Sequence, residues 1–165
     1  MVNSEIIDIV DKNNNVIGES SVDIAHRDKM MHRVAGVFVF DVHGNLYLQK
    51  NFETGKFDLS VGGHVQKGES YESAAKREMF EEIELDVPIS HVSTFLPKDA
   101  KLNHYWAIYT ATAPEGWNFK ETEEVKLLEK MNMSMVVEMV KSSPWAFTHG
   151  FINTINELIR IKKYG

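Results

Sequence analysis

Within "GGHVQKGESYESAAKREMFEEIEL", Gly62 to Leu85, stand six glutamates, four of which (Glu78, Glu81, Glu82 and Glu84) fall inside seven positions. Carboxylates that close repel one another, and on a helix turning 100° per residue Glu78, Glu81 and Glu82 share a single arc of about 100°. Ala75, Met79 and Ile83 form the apolar stripe of that helix, with Glu82 about 20° and Glu78 about 60° from Ala75. The acids therefore flank the buried face. A solvated acidic surface would explain them, at a few tenths of a kcal/mol for each like-charge pair. So would a hard divalent cation, Mg²⁺ or Mn²⁺, which takes carboxylate and carbonyl oxygens. Gly62 and Gly63 favour the ion, because they let backbone carbonyls approach the same point. Arg77 can pair with Glu81 one turn on and with Glu69 across the loop.

Placing those groups requires a helix, and the sequence supplies one. Ser70 is a suitable N-cap, and no breaker interrupts Tyr71–Ile83. Upstream, "EIIDIV" and "VIGESS" flank the turn-forming "DKNNN", which predicts an N-terminal hairpin over 5–20. "VDIAHRDKMMHR" is a polar connection. Strands are expected at 34–40 and Leu46–Lys50 around a turn at 41–45, with a short one at 57–61. Beyond Pro88, "ISHVSTFL" and "NHYWAIYTATA" are β-branched and aromatic enough for strands, joined by a turn in "PKDAK". "PEGWNFKETEEV" makes an acidic surface loop. Two helices close the chain across 133–162, the first stopped before Pro144 and the second carrying Phe151, Ile155, Leu158 and Ile159 on one stripe. Trp145 and Phe147 are assigned to the packing of these helices. The succession predicts one mixed domain, a β-sheet packed between helices.

Bulk properties narrow the function. A chain of 165 residues, 43% apolar and 25% charged, has the composition of a globular domain. A net charge of −6 argues against nucleic-acid and anionic-membrane partners. The absence of cysteine excludes disulfides, thiolate metal sites and cysteine nucleophiles. No signal-peptide pattern or membrane-length apolar run is visible, so a cytoplasmic location is expected.

Gly63, five residues, Glu69, seven residues, then Arg77-Glu78-Met79-x-Glu81-Glu82 and Leu85 resembles the Nudix box, G-x5-E-x7-R-E-U-x-E-E-x-G-U, where U is bulky and apolar. One specified position departs: Glu84 stands where the box has its last glycine, which puts the helix exit in question. The resemblance implies the α+β Nudix fold, an α/β/α sandwich with the box at 63–85. It also implies metal-dependent hydrolysis of a small diphosphate, such as a nucleoside diphosphate derivative. Carried over, Glu78, Glu81 and Glu82 are the metal ligands, with a carbonyl of Gly62 or Gly63. Glu69 and Arg77 brace the loop against the helix. The general base is Glu78, Glu123 or Glu124, although 121–124 also reads as a plain exposed acidic loop.

"IDIVDKNNNVIG", "AHRDKMMHRVAGVFVFDVHGNLYLQKN" and "SPWAFTHGF" are similar to the Nudix subgroup that includes isopentenyl diphosphate isomerase. In that enzyme three histidines and two glutamates bind a metal, while a cysteine and a glutamate move protons. His26, His32 and His64 stand near the three histidines, but Gly62 replaces the cysteine and His104 the catalytic glutamate. Hydrolysis is therefore expected over isomerisation, with a non-enzymatic nucleotide sensor as a further alternative. Lys50, Lys56, His32, His64 and His104 are candidate substrate contacts, and Phe57, Tyr105, Trp106 and Trp117 could either stack a base or fill the core. The sequence leaves a homodimer open.

Overall fold

The predicted N-terminal hairpin forms as β1 (Ile6–Val10) and β2 (Val16–Ser21). Its turn is closed by Asp11, whose Oδ1 accepts from the N–H groups of Asn13 (2.8 Å) and Asn15 (3.0 Å). The computed structural model describes residues 5–98 and 103–164, so the turn expected in "PKDAK" lies largely outside the described residues. The polar connection after β2 begins as a helix, α1 (Val22–Arg27). Ser21 caps it, and burial of Val22 and Ala25 anchors it. Six residues are too few for helical periodicity to show in the sequence.

The central strand β3 (His32–Phe40) leads into β4 (Leu46–Lys50). The single strand expected at 57–61 is two, β5 (Phe57–Asp58) and β6 (Val61–His64), because the chain changes partner. β5 pairs with β4 while β6 pairs with β3. Helix α2 (Tyr71–Ile83) runs as predicted, with Ser70 Oγ accepting from Ser73 N–H at 3.1 Å. β7 (Ile89–Phe95) and β8 (His104–Thr112) follow. An unanticipated strand, β9 (Leu128–Met131), adds to the free side of β4. Helices α3 (Met133–Ser142) and α4 (His149–Lys162) flank a 3₁₀ turn at Pro144–Ala146.

β3 organises the sheet. It pairs antiparallel with β6 and parallel with β8, from His32 opposite His104 to Phe40 opposite Thr112. Strand alternation sends Ala35, Val37 and Val39 to one face, under Ala75, Met79 and Ile83 of α2. Val34 and Phe38 go to the other, under Val136, Val140, Phe151, Ile155 and Leu158 of α3 and α4. This is the expected α/β/α sandwich. Phe147 joins the second core, stacked on Phe151 at 4.8 Å. Trp145 does not: 71% of its surface is exposed, because the 3₁₀ turn rotates it away from the helix interface.

Candidate active site

α2 lies on the sheet so that Glu78 and Glu82, on the flank of its apolar stripe, are turned inward and keep only 7% and 8% of their surface exposed. Gly63 of β6 faces Glu78 so closely that a Cβ added there would overlap the carboxylate carbon. The glycine therefore serves approach between strand and carboxylate. Gln49 Nε2 donates to Glu82 Oε2 at 2.5 Å, and the Gly62 N–H lies 3.4 Å from the same oxygen. Burial pushes Glu82 up to about 8, reinforced by the charges of Glu78 and Glu124 and opposed by these hydrogen bonds. Burial likewise raises Glu78 to about 7, against the pull of Arg77.

Arg77 is saturated. Its five N–H groups reach Glu69 Oε1 (2.9 Å) and Oε2 (3.0 Å), Glu78 Oε1 (2.8 Å), Glu81 Oε2 (3.1 Å) and the His64 carbonyl (2.9 Å). Glu69 also accepts from Gln66 N–H at 2.9 Å. Burial alone would raise the Glu69 carboxyl, but the Arg77 and Gln66 hydrogen bonds outweigh it and hold the group below its usual range. Loop 65–70 is thereby clamped to the middle of α2.

Oxygen atoms of Glu78, Glu82 and Glu124 lie within 4.8 Å of one another, a hard donor set that fits Mg²⁺ or Mn²⁺. Glu81 does not converge with them. Its side chain, 46% exposed, is turned toward Arg77. Glu123 lines the groove on the outer side of α2 with Phe80, Glu81, Glu84 and Glu124, and it is the exposed Glu124 that also reaches the buried Glu78 and Glu82. Glu84 takes the left-handed conformation of the missing glycine, at φ 52° and ψ 34°, and its N–H reaches the Phe80 carbonyl at 2.9 Å. The helix exit keeps its shape at the strain of a non-glycine residue there.

A cavity of about 330 Å³ runs from Gly62, Gly63 and Glu82 to His26, His64 and His104, walled by Trp106 and Thr148. At its far end four imidazoles meet. His26 comes from α1, while His32 and His104 stand side by side at the start of the parallel ladder, ring centroids 4.3 Å apart. His64 Nε2 lies 3.0 Å from His26 Nε2. His32 donates Nδ1–H to the Met30 carbonyl (2.8 Å), leaving its buried Nε2 without a hydrogen bond, as is His104 Nδ1. Burial lowers all of His32, His64 and His104, the latter two to about 4 and about 3, so those rings stand neutral with lone pairs available. Nitrogens of His26, His32 and His104 lie within 4.8 Å of one another, and His64, the third histidine of the expected trio, stands against His26 at the edge of the same cluster.

Of the other expected contacts, Lys50 lines a second cleft of about 350 Å³ with Gln49, Asp58 and Glu124, its Nζ 4.2 Å from the Phe57 ring centre. Lys56 lines neither cleft. Phe57 and Trp106 are core residues, Tyr105 donates its hydroxyl to the Lys12 carbonyl, and Trp117 packs edge-on against Tyr47. Gln49 and Asp58, which border both clefts, escaped the sequence reading. Alternation in "LYLQK" puts Gln49 with Tyr47 on the face opposite the buried Leu46 and Leu48, where a polar side chain reads as solvent-facing, so no signal in the sequence marked it.

The model of the NUDIX domain matches residues 30–148. The chain belongs to the Nudix family. Among its Nudix relatives, isopentenyl-diphosphate Delta-isomerase 2 of Photorhabdus laumondii is 32% identical over 93% of this chain and 92% of its own. An uncharacterised Nudix hydrolase of Yersinia pestis is 33% identical over 73% of this chain and 71% of its own. A crystal structure from Deinococcus radiodurans superposes with a TM-score of 0.75 at 22% identity, over 92% of this chain and 97% of that one. The chain is thus similar in sequence to proteins named as an isomerase and as a Nudix hydrolase. No helix among the described residues is long and apolar enough to cross a membrane.

Proposed function

We propose that this Nudix protein hydrolyses the anhydride bond of a small diphosphate compound, such as a nucleoside diphosphate derivative, with Mg²⁺ or Mn²⁺ held by Glu78, Glu82 and Glu124 and a backbone carbonyl of Gly62 or Gly63. The convergence of three carboxylates beside a glycine that admits no side chain carries this reading. When bound, the ion neutralises phosphate oxygens and acidifies water. Glu124, at the edge of both the carboxylate cluster and the Lys50 cleft, offers one oxygen to the cluster and keeps the other to take the proton of the attacking water. The hydroxyl oxygen bonds to phosphorus, the bridging P–O bond breaks, and its electron pair leaves with the departing phosphate. Lys50 meets the phosphate charge, and the Arg77–Glu69 clamp keeps the carboxylates from splaying.

The test is a panel of nucleoside di- and triphosphates, dinucleotides and sugar nucleotides with each ion, run on the parent and on Glu82→Gln. Turnover that Glu82→Gln loses by at least about a hundredfold is expected. Turnover unchanged in that variant would remove the reading.

A second reading, isomerisation of isopentenyl diphosphate, is favoured by the histidine cluster and the Photorhabdus relative. The imidazole set fits a borderline ion such as Zn²⁺ or Co²⁺ better than Mg²⁺. The reaction, however, needs a proton donor and acceptor on opposite faces of the alkene. This chain has no cysteine, and the His104 ring is held neutral by burial.

A further inference from the structure

Glu124 comes from a loop, yet it stands beside two carboxylates fixed on a helix, so something must hold that loop in place. The hydrogen bonds of Thr122 supply the answer. Its Oγ1 donates to the Glu82 carbonyl at 2.7 Å and accepts the Val125 N–H at 3.0 Å. The Thr122 N–H in turn reaches the Val125 carbonyl at 3.0 Å, closing a tight loop of which Glu124 is the third residue. The Glu82 carbonyl belongs to the last turn of α2, where helical partners run out and a side-chain donor is needed. Val125 is buried in the same core as Ala75 and Met79, and Lys126 Nζ closes the outer side on the Thr122 carbonyl at 2.8 Å. One hydroxyl thus joins the backbone of a residue bearing one carboxylate to the loop bearing the other.

We infer that Thr122 is the positioning residue that mounts Glu124 on the end of α2, so that the base is already in place before substrate arrives. This rests on the hydrolase reading for the role of Glu124, but the mount itself is testable with metal alone. A valine at 122 keeps the shape and loses both hydrogen bonds, whereas a serine keeps them.

Mn²⁺ titration followed by electron paramagnetic resonance on Thr122→Val, Thr122→Ser, Glu124→Gln and the Thr122→Val/Glu124→Gln double variant makes a closed cycle. Thr122→Val is expected to weaken Mn²⁺ about tenfold, the scale of losing a group that orients a ligand. Thr122→Ser should return within about twofold of the parent, and the double variant should be no weaker than Glu124→Gln alone. With a substrate from the panel, Thr122→Val should lower kcat about tenfold at unchanged KM. Parent-like Mn²⁺ affinity in Thr122→Val with only a lower melting temperature would reduce Thr122 to a helix cap and overturn the inference. Equal losses for valine and serine, or additive losses in the double variant, would overturn it as well. Failure of the hydrolase reading would show separately, as turnover untouched by Glu82→Gln.

Discussion

Buried carboxylates without a metal should make the protein less stable as pH rises, and the geometry sets the size of the effect. In the unfolded chain Glu78 and Glu82 ionise near 4.5, whereas in the fold they hold their protons until about 7 and about 8. Below pH 4.5 both states are protonated and the contribution to stability is complete. Between 4.5 and 7 the folded state binds more protons, so each such group removes about 1.4 kcal/mol per pH unit, ending once pH passes its folded value. For Glu78 the loss is about 3 kcal/mol; the Glu82 value contains part of the same mutual repulsion, so the two do not simply add. At about 2–4 °C per kcal/mol, a domain of this size should melt about 6–12 °C lower at pH 8.5 than at pH 5 from this cause. Thermal unfolding with EDTA on the parent and on Glu78→Gln isolates it: the variant should gain on the parent steadily as pH rises from about 5 to about 7. Adding Mg²⁺ or Mn²⁺ should reverse the trend, stabilising little at pH 5.5 and strongly at pH 8.5, because the ion binds only ionised ligands. A parent–variant difference that stays flat with pH, or a metal effect equal at both ends, would refute the argument.

Gly63→Ala should displace the Glu78 carboxylate, lowering Mn²⁺ affinity and turnover at least about tenfold while the circular dichroism spectrum stays native. Breaking the clamp by Glu69→Gln should leave the half-buried Arg77 undercompensated and cost about 1–3 kcal/mol in urea unfolding at neutral pH, a cost that shrinks in acid once the parent's own Glu69, held below the usual carboxylate range, takes up a proton. Incubation of isopentenyl diphosphate in deuterated buffer should give no deuterium in the recovered compound by mass spectrometry; incorporation would revive the isomerase reading. Co²⁺ added to the protein should give the visible absorption of an imidazole-ligated ion, lost in His26→Ala and retained in Glu82→Gln, if the two clusters hold separate ions.

Much of the site was visible in the sequence because its groups sit on one helix. Periodicity placed Glu78 and Glu82 on the flank of a buried stripe, and the spacing from Gly63 to Glu69 to Arg77 describes a loop folded back on that helix. What periodicity could not supply was side-chain direction. Glu81 shares the arc but is held outward by Arg77, and Glu124, marked beforehand only as one of three candidate bases by the Nudix resemblance, joins from about forty residues away through a hydroxyl-pinned turn. The four imidazoles are similar. They come from α1, β3, β6 and β8, and no local pattern relates His32 to His104 until the parallel pairing is known. In the fold, the long patterned elements were legible, while α1 and β9, of six and four residues, owe their existence to what they pack or pair against.

The pairing of β3 with β8 has a consequence beyond architecture. His32 and His104 occupy the same rung, and side chains on a rung share a face whatever their chemistry. A slip of one residue would send one ring to the opposite surface, so alignment of two strands, and not any loop, decides which atoms can meet there. Such a frame fixes the direction of whatever side chain stands at position 104, opposite His32. Strand register, laid down by the core on either side of the sheet, thereby sets which functional atoms face one another at the end of the cavity.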